Sequence, residues 1–224
     1  MTEQDPGKAP YTGHVEPGGA AATRTVPGVT ITKVSVGPMD NDCYVLECAA
    51  TGEQLLIDAA NDAERLLPLV PRLTTIVTTH QHADHWQALA AVAAATGART
   101  LAHTLDAGPL PVKPDLLLED GDSVTFGQHE LAVRNIRGHT PGSVSLLLRP
   151  ETGDPHLFTG DCLFPGGPGN TQQDAKRFIR LMDDLEERIF AVLPDGTWVY
   201  PGHGDDTTLG AERPHLAEWR ARGW

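Results

Sequence analysis

Thr75-Ile76-Val77-Thr78-Thr79-His80-Gln81-His82-Ala83-Asp84-His85 is the stretch on which the reading of this chain turns. Its first half is an apolar, β-branched run of the kind that forms a buried strand. Its second half places three imidazoles and a carboxylate within six residues, His80 to His85, far more metal-ligand side chains than an ordinary loop carries. The cluster therefore falls where a strand ends and the chain turns. In extended chain, residues two apart point the same way, so His80 and His82 can converge on one ion. Asp84 and His85 follow the turn and can face a second ion nearby. Imidazole nitrogen and carboxylate oxygen suit zinc, iron or manganese.

Three further candidate ligands lie downstream, each after an apolar run and beside glycine. His139 lies in Gly138-His139-Thr140-Pro141-Gly142-Ser143, Asp161 in Leu157-Phe158-Thr159-Gly160-Asp161, and His203 in Val199-Tyr200-Pro201-Gly202-His203-Gly204. Glycine lets the backbone turn sharply and approach a bound group closely. Ligands at strand ends are held by the rigid sheet behind them.

HxHxDH, GHTPGS, TGD and PGHG, in that order, resemble the metallo-β-lactamase-fold hydrolases, and within them the short glyoxalase II-like branch. The tail Thr207-Thr208-Leu209-Gly210-Ala211-Glu212-Arg213 is similar to that branch too, and the resemblance covers roughly residues 29 to 217. It implies a dinuclear site: His80, His82 and His139 on the first metal, Asp84, His85 and His203 on the second, and Asp161 bridging them. Asp58, after Leu55-Leu56-Ile57, fits the family's Asp that orients a ligand from behind. The alternative for Asp58 is a plain turn residue.

The implied chemistry follows from charge. Two divalent ions bring four positive charges, and Asp84, Asp161 and a bridging hydroxide remove three. The residual charge favours a transition state that gains negative charge on oxygen. Coordination lowers the pKa of water from about 15.7 to near 7, so no Ser or Cys nucleophile is needed, and Asp84 and Asp161 are the catalytic carboxylates. The expected reaction is hydrolysis of a thioester or related small ester on two divalent ions, zinc first, with iron or manganese open. Three readings compete with it. A persulfide dioxygenase of similar fold would use one iron on His80, His139 and Asp161, an open facial triad. A scaffold without activity would have no use for the full ligand set. Lactone or β-lactam hydrolysis fits the Asp84 and TGD pattern less well. A fortuitous surface patch is disfavoured by seven ligands in order.

The remaining histidines read differently. His14, His129, His156 and His215 stand alone in polar or turn-like contexts and read as surface residues, while His103 follows a strand and reads as structural. Cys162 adjoins Asp161, so it either lines the pocket or is a small buried residue.

Composition bounds the rest. With 224 residues, 40% of them hydrophobic, one compact domain is expected over 26–224. Residues 1–25, rich in Gly, Pro, Ala and Thr, read as a flexible arm. No signal-peptide pattern and no membrane-length apolar run is present, and the three cysteines, Cys43, Cys48 and Cys162, form no disulfide framework. A cytoplasmic monomer or homodimer fits. A net charge of −13 disfavours nucleic acid as a partner, leaving a small-molecule substrate.

Strands are expected at 29–36, 42–49, 54–58, 74–79, 98–102, 123–126, 129–136, 143–149, 156–160 and 197–200, with hairpin turns at 52–53 and 127–128. Helices are expected at 62–70, 85–96, 173–192 and 211–221. Strand clusters broken by helices suggest two packed sheets with helices outside. A four-layer αββα sandwich, in the α/β (α+β) class, is what the resemblance implies.

Three departures from the family pattern bear on substrate. Gln87, preceded by Trp86, stands where relatives usually have a small residue or glycine, and this bulky pair at the first turn of the helix over 85–96 would narrow the pocket. An Arg that many relatives place near Asn170 is absent, and Lys176 and Arg177 either replace its charge or simply start an exposed helix. Only 21 residues follow His203. The helical region with which larger glyoxalase II enzymes grip glutathione is therefore not expected, which leaves the acyl group and the thiol carrier open.

Overall fold

Two sheets pack face to face because their strands alternate strictly between two hydrophobic environments. In a computed structural model, which describes residues 11–223, seven strands form the first sheet in sequential order. They are β1 (Ala22–Val26), β2 (Val29–Val36), β3 (Asn41–Cys48), β4 (Gln54–Ile57), β5 (Leu73–Thr78), β6 (Arg99–His103) and β7 (Leu116–Leu118). Neighbours are antiparallel as far as β4 and parallel from β4 to β7. The second sheet begins with β8 (Ser123–Phe126), β9 (His129–Asn135), β10 (Val144–Leu148) and β11 (His156–Gly160). A small hairpin follows, β12 (Leu163–Phe164) with β13 (Gly167–Pro168), and β14 (Trp198–Pro201) and β15 (Thr207–Thr208) complete the second sheet. Its spatial order is β15-β14-β11-β10-β9-β8, with only β11 and β14 parallel.

Period-two alternation sorts the side chains. Leu55, Ile57 and Val77 face Leu146, Leu148 and Phe158 across the inter-sheet core. Leu56 and Ile76 point the other way, onto α1 (Ala63–Leu66) and α2 (Leu89–Thr96) through Leu66, Leu89 and Val92. Leu147, Leu157 and Val199 point outward from the second sheet onto α3 (Ala175–Leu185) through Phe178, Leu181 and Leu185. The chain ends with α4 (Leu209–Glu212) and α5 (Leu216–Arg222), whose Trp219 joins that same layer. The protein is thus the four-layer αββα sandwich.

All ten expected strands are present, each end within one residue of its expected place. The 127–128 turn joins Phe126 to His129 directly, whereas the turn around 52–53 is longer, spanning 49–53. Helix ends differ more. The helix expected over 85–96 begins only at Leu89, because the Gln87 and Ala88 N–H groups donate to Ala60 and Ala59 carbonyls at 2.9 and 3.0 Å. The helix expected over 173–192 starts at Ala175, where the Asp174 side chain caps the Lys176 and Arg177 N–H groups. It widens after Leu185, with Ala191 N–H reaching back five residues to the Glu186 carbonyl at 2.8 Å. The other two helices are each interrupted at a proline, Pro68 and Pro214.

The arm expected over 1–25 needs correction where it is described; residues 1–10 lie outside the described residues. From Tyr11 onward the chain is packed. The Tyr11 hydroxyl donates to Asp206 at 2.6 Å, Val15 is buried, and β1 pairs with β2 from Ala22↔Lys33 to Val26↔Val29. Its partners are distant in sequence, which local composition does not reveal. Among the described residues no helix is long and apolar enough to cross a membrane.

Candidate metal centre

Strand direction gathers the site. Parallel β4 and β5 deliver Asp58 and His80 to one edge of the first sheet. Parallel β11 and β14 deliver Asp161 and His203 to the same edge of the second. The two sheets are stitched there by Asp42 N–H to Gly202 O at 2.8 Å and Val144 N–H to Thr79 O at 2.9 Å. The loop between β9 and β10 adds His139.

The sequence-predicted ligands come together in two groups. His80 Nε2, His82 Nδ1 and His139 Nε2 form a triangle with sides of 3.1, 2.9 and 3.3 Å. His85 Nε2 and His203 Nε2 are 3.2 Å apart, and Asp84 Oδ2 lies 3.4 Å from each. Asp161 sits between the groups. Its Oδ1 is 3.3 Å from His85 Nε2, and its Oδ2 is 3.5 Å from His203 Nε2 and 3.6 Å from His139 Nε2. Ligands about 2.1 Å from a tetrahedral zinc are separated by about 3.4 Å, so both triangles have close to the edge length a metal needs.

The outer nitrogens fix how the rings are turned. His85 Nδ1 is held by Asp58 at 2.9 Å, His139 Nδ1 by the Asn170 carbonyl at 2.8 Å, and His203 Nδ1 by the Met39 carbonyl at 2.8 Å. His80 Nδ1 meets the Thr79 hydroxyl at 3.1 Å, and that hydroxyl donates to Asp58 at 2.7 Å. Each oxygen takes the proton of the outer nitrogen and leaves the inner lone pair free. Asp58, in the left-handed region at φ 57°, thereby anchors one ring of each group.

Electrostatics agree with this division. Burial pushes His80, His82 and His139 below the usual imidazole range, so they are neutral donors, as metal ligands must be. Burial also opposes protonation of His85, but Asp161 and Asp58 outweigh it and lift that ring to about 10. Burial likewise opposes ionisation of Asp161, yet His203 and His85 hold its carboxyl well below the usual range. Asp161 Oδ1 is a buried oxygen with no hydrogen-bond donor. A buried carboxylate flanked by inward-turned imidazoles calls for a cation, and the donor set fits divalent metal.

Glycine makes the close approach possible. A Cβ on Gly202 would collide with Asp161 Oδ1, and one on Gly169 with the Asp161 carbonyl.

Two contributors carried no motif. Asn41 donates to Asp84 Oδ2 at 3.0 Å and is bridged to His203 across the sheets. Asp106, in the loop after β6, accepts from Gln81 N–H at 3.1 Å, from Gly142 N–H at 2.8 Å and from the Thr140 hydroxyl. It therefore ties the loop of His82 to the loop of His139. Neither was legible, because each acts on residues far away in sequence.

Other expectations resolve as follows. His14 and His215 are exposed, and His129 is half-buried with its Nε2 2.9 Å from the Gly28 carbonyl. His156, expected at the surface, is buried, with Nδ1 2.9 Å from the Tyr200 hydroxyl; it starts β11, a strand whose side chains are all covered. His103 is buried at the end of β6. Cys162 faces the α3 layer rather than the pocket, and its thiol donates to the Ile136 carbonyl at 3.4 Å. All three cysteines are buried and unbridged. Trp86 does not line the cleft beside the ligands; its indole N–H donates to the Gln81 carbonyl at 2.9 Å and braces the loop from behind. Arg177 is half-buried and donates to the Gly138 carbonyl at 2.8 Å and to the His139 carbonyl.

Known proteins resemble this chain in sequence and fold. A hydroxyacylglutathione hydrolase from Polaromonas sp. is 38% identical over 165 residues, 71% of this chain and 60% of that protein. The human mitochondrial persulfide dioxygenase ETHE1 is 34% identical over 166 residues, 71% of this chain and 62% of that protein. The match thus spans less than two thirds of either relative. The crystal structure of TTHA1623 in a di-iron-bound form superposes with a TM-score of 0.66 at 32% identity, covering 81% of this chain and 96% of the other. The model of the metallo-β-lactamase superfamily matches residues 36–203, from the end of β2 through the last ligand histidine. With the αββα sandwich and seven candidate ligands gathered at its edge, the chain belongs to the metallo-β-lactamase superfamily.

Proposed function

We propose that this chain is a dinuclear metallo-hydrolase that cleaves a thioester or related small ester, with zinc as the first candidate metal. The observation that carries the reading is the Asp161 carboxylate, one oxygen beside His85 and the other within 3.6 Å of both His139 and His203. A carboxylate so placed suits two ions better than one. His80, His82 and His139 would hold one, and Asp84, His85 and His203 the other. Bound divalent ions supply Lewis acidity and bring the pKa of coordinated water from 15.7 to about 7.

The chain's own residues do the rest. Asp84 is held below the usual carboxylate range because the Asn41 amide and His85 outweigh the opposing effect of burial. It therefore stays ionised and is placed to accept a hydrogen bond from the attacking water. Burial pushes the Cys162 and Cys43 thiols up, which disqualifies both as nucleophiles. With two divalent ions bound, neutral imidazoles and the carboxylates of Asp84 and Asp161 would leave net positive charge at the centre, matched to a carbonyl oxygen that gains negative charge.

The test is metal content of protein purified without added metal or chelator, followed by a panel of thioesters. About two ions per chain with thioester turnover supports the reading. About one iron per chain, with oxygen uptake on a thiol persulfide and no thioester turnover, overturns it for the dioxygenase reading. The relative at 34% identity favours that alternative, which would use His80, His139 and Asp161.

A further inference from the structure

The cleft beside the ligands carries a charge pattern unlike the rest of the chain. A cavity of about 570 Å³ is lined by Gln81, His82, Thr140, Lys176, Arg177 and Arg180 among others. His82 is one of the ligand imidazoles, so the cavity reaches the centre itself, and its size suits a small organic ligand. Another wall is the first half of α3. Arg177 is already committed to the carbonyls of Gly138 and His139 and to Gln172. Lys176 and Arg180 are exposed, four residues apart and so on one helical face. Among the described residues neither side chain has a carboxylate within ion-pair distance, and no Asp or Glu lines the cavity. In a chain with 30 acidic and 17 basic residues, a cleft lined by three cations and no carboxylate stands out.

We propose that Lys176 and Arg180 form a recognition site for an anionic group, carboxylate or phosphate, on the thiol portion of the substrate. The inference rests on the hydrolase reading in one respect: a carbonyl seated at the ions directs the rest of the molecule along this cleft toward α3. Arg180 offers a forked donor to a planar or tetrahedral anion and Lys176 a mobile point charge. Gln81 and Gln172 add neutral hydrogen-bonding groups on the same cavity wall. Arg177 keeps the His139 loop in place and is not counted in the anion site.

The test is calorimetric binding of three non-hydrolysable thioethers to the metal-loaded protein. S-methylglutathione carries carboxylates, S-methyl-coenzyme A carries phosphates, and S-methyl-N-acetylcysteamine is neutral. At least one anionic probe is expected to bind about tenfold more tightly than the neutral one, the margin two exposed charge pairs permit. Which one does so identifies the anion. The margin should shrink as salt rises, a measurement that needs no variant. Lys176→Glu with Arg180→Glu, and the milder Lys176→Gln with Arg180→Gln, should abolish it. Anionic probes that bind no better than the neutral one, or variants that weaken all three alike, overturn the proposal. Anion-selective binding with no turnover of any thioester would instead sink the hydrolase reading and leave the anion site standing.

Discussion

Asp58 and Asp106 stand behind different parts of the ligand set, and their separate removal should be distinguishable. Asp106→Ala deprives the Gln81 and Gly142 N–H groups and the Thr140 hydroxyl of their acceptor. A buried donor left without a partner costs about 1–3 kcal/mol, so the loops of His82 and His139 should relax. The expected result is about 10–100-fold weaker binding of one of the two ions, measured by competition with a chromogenic chelator. Asp58→Ala frees the His85 ring and, through Thr79, the His80 ring, so a loss of similar size is expected for both ions. Unchanged affinity in either variant would refute its positioning role. Gly202→Ala acts by a different route, because the added methyl occupies the space beside Asp161 Oδ1 and His85. Loading should fall well below two ions per chain while the fold persists, read by elemental analysis alongside circular dichroism.

At the level of elements, α3 connects fold stability to the site. Leu181 is fully buried under the second sheet, and a Cβ on Gly138 would collide with it, so it packs directly beneath the His139 loop. Leu181→Ala should cost about 2–5 kcal/mol and lower Tm by roughly 5–15 °C in a domain of this size, measured by thermal denaturation. A drop below about 2 °C would mean that the helix re-seats without strain. The helix expected from 173 was legible because Phe178, Leu181, Met182 and Leu185 recur at the 3.6-residue period that burial against the sheet imposes. The start of α2 was not, since Gln87 and Ala88 surrender their N–H groups to the loop after β4. No local pattern records that exchange. β1 and β7 escaped for a related reason: Ala-Thr-Arg-Thr-Val is only half covered, and Leu116 and Leu117 remain exposed on an edge strand. That the seven candidate ligands gather at one edge was legible because metal chemistry demands such side chains at strand ends. Asn41 and Asp106 look like any other polar residue until the fold brings them to Asp84 and to the two histidine loops.

At the scale of the whole molecule, Lys33 of β2 closes the sandwich beside the His203 loop. It is fully buried, and its Nζ donates to the Gly13 carbonyl at 2.8 Å, the Gly204 carbonyl at 2.5 Å and Asp206 at 2.7 Å, with Asp42 Oδ2 3.1 Å away. One cation thus joins the N-terminal stretch, the first sheet and the loop that follows β14, and two carboxylates share it. Burial pushes Asp42 up to about 8 against the attraction of Lys33, and Asp206 is raised as well. In the unfolded chain Asp42 titrates near 3.8. Between those two values the folded protein holds a proton that the unfolded chain has released, so stability falls as pH rises through the window and levels off above about 8. One such proton corresponds to about 1.4 kcal/mol per pH unit, or about 3–5 °C in Tm. Asp42→Asn has the shape of the protonated carboxyl and no proton to lose. Its Tm should therefore vary less than that of the parent protein between pH 6 and 8, with the largest gain over the parent near pH 8. Parallel Tm–pH curves for the two proteins would show instead that Asp42 is ionised in the fold and that Lys33 neutralises both carboxylates.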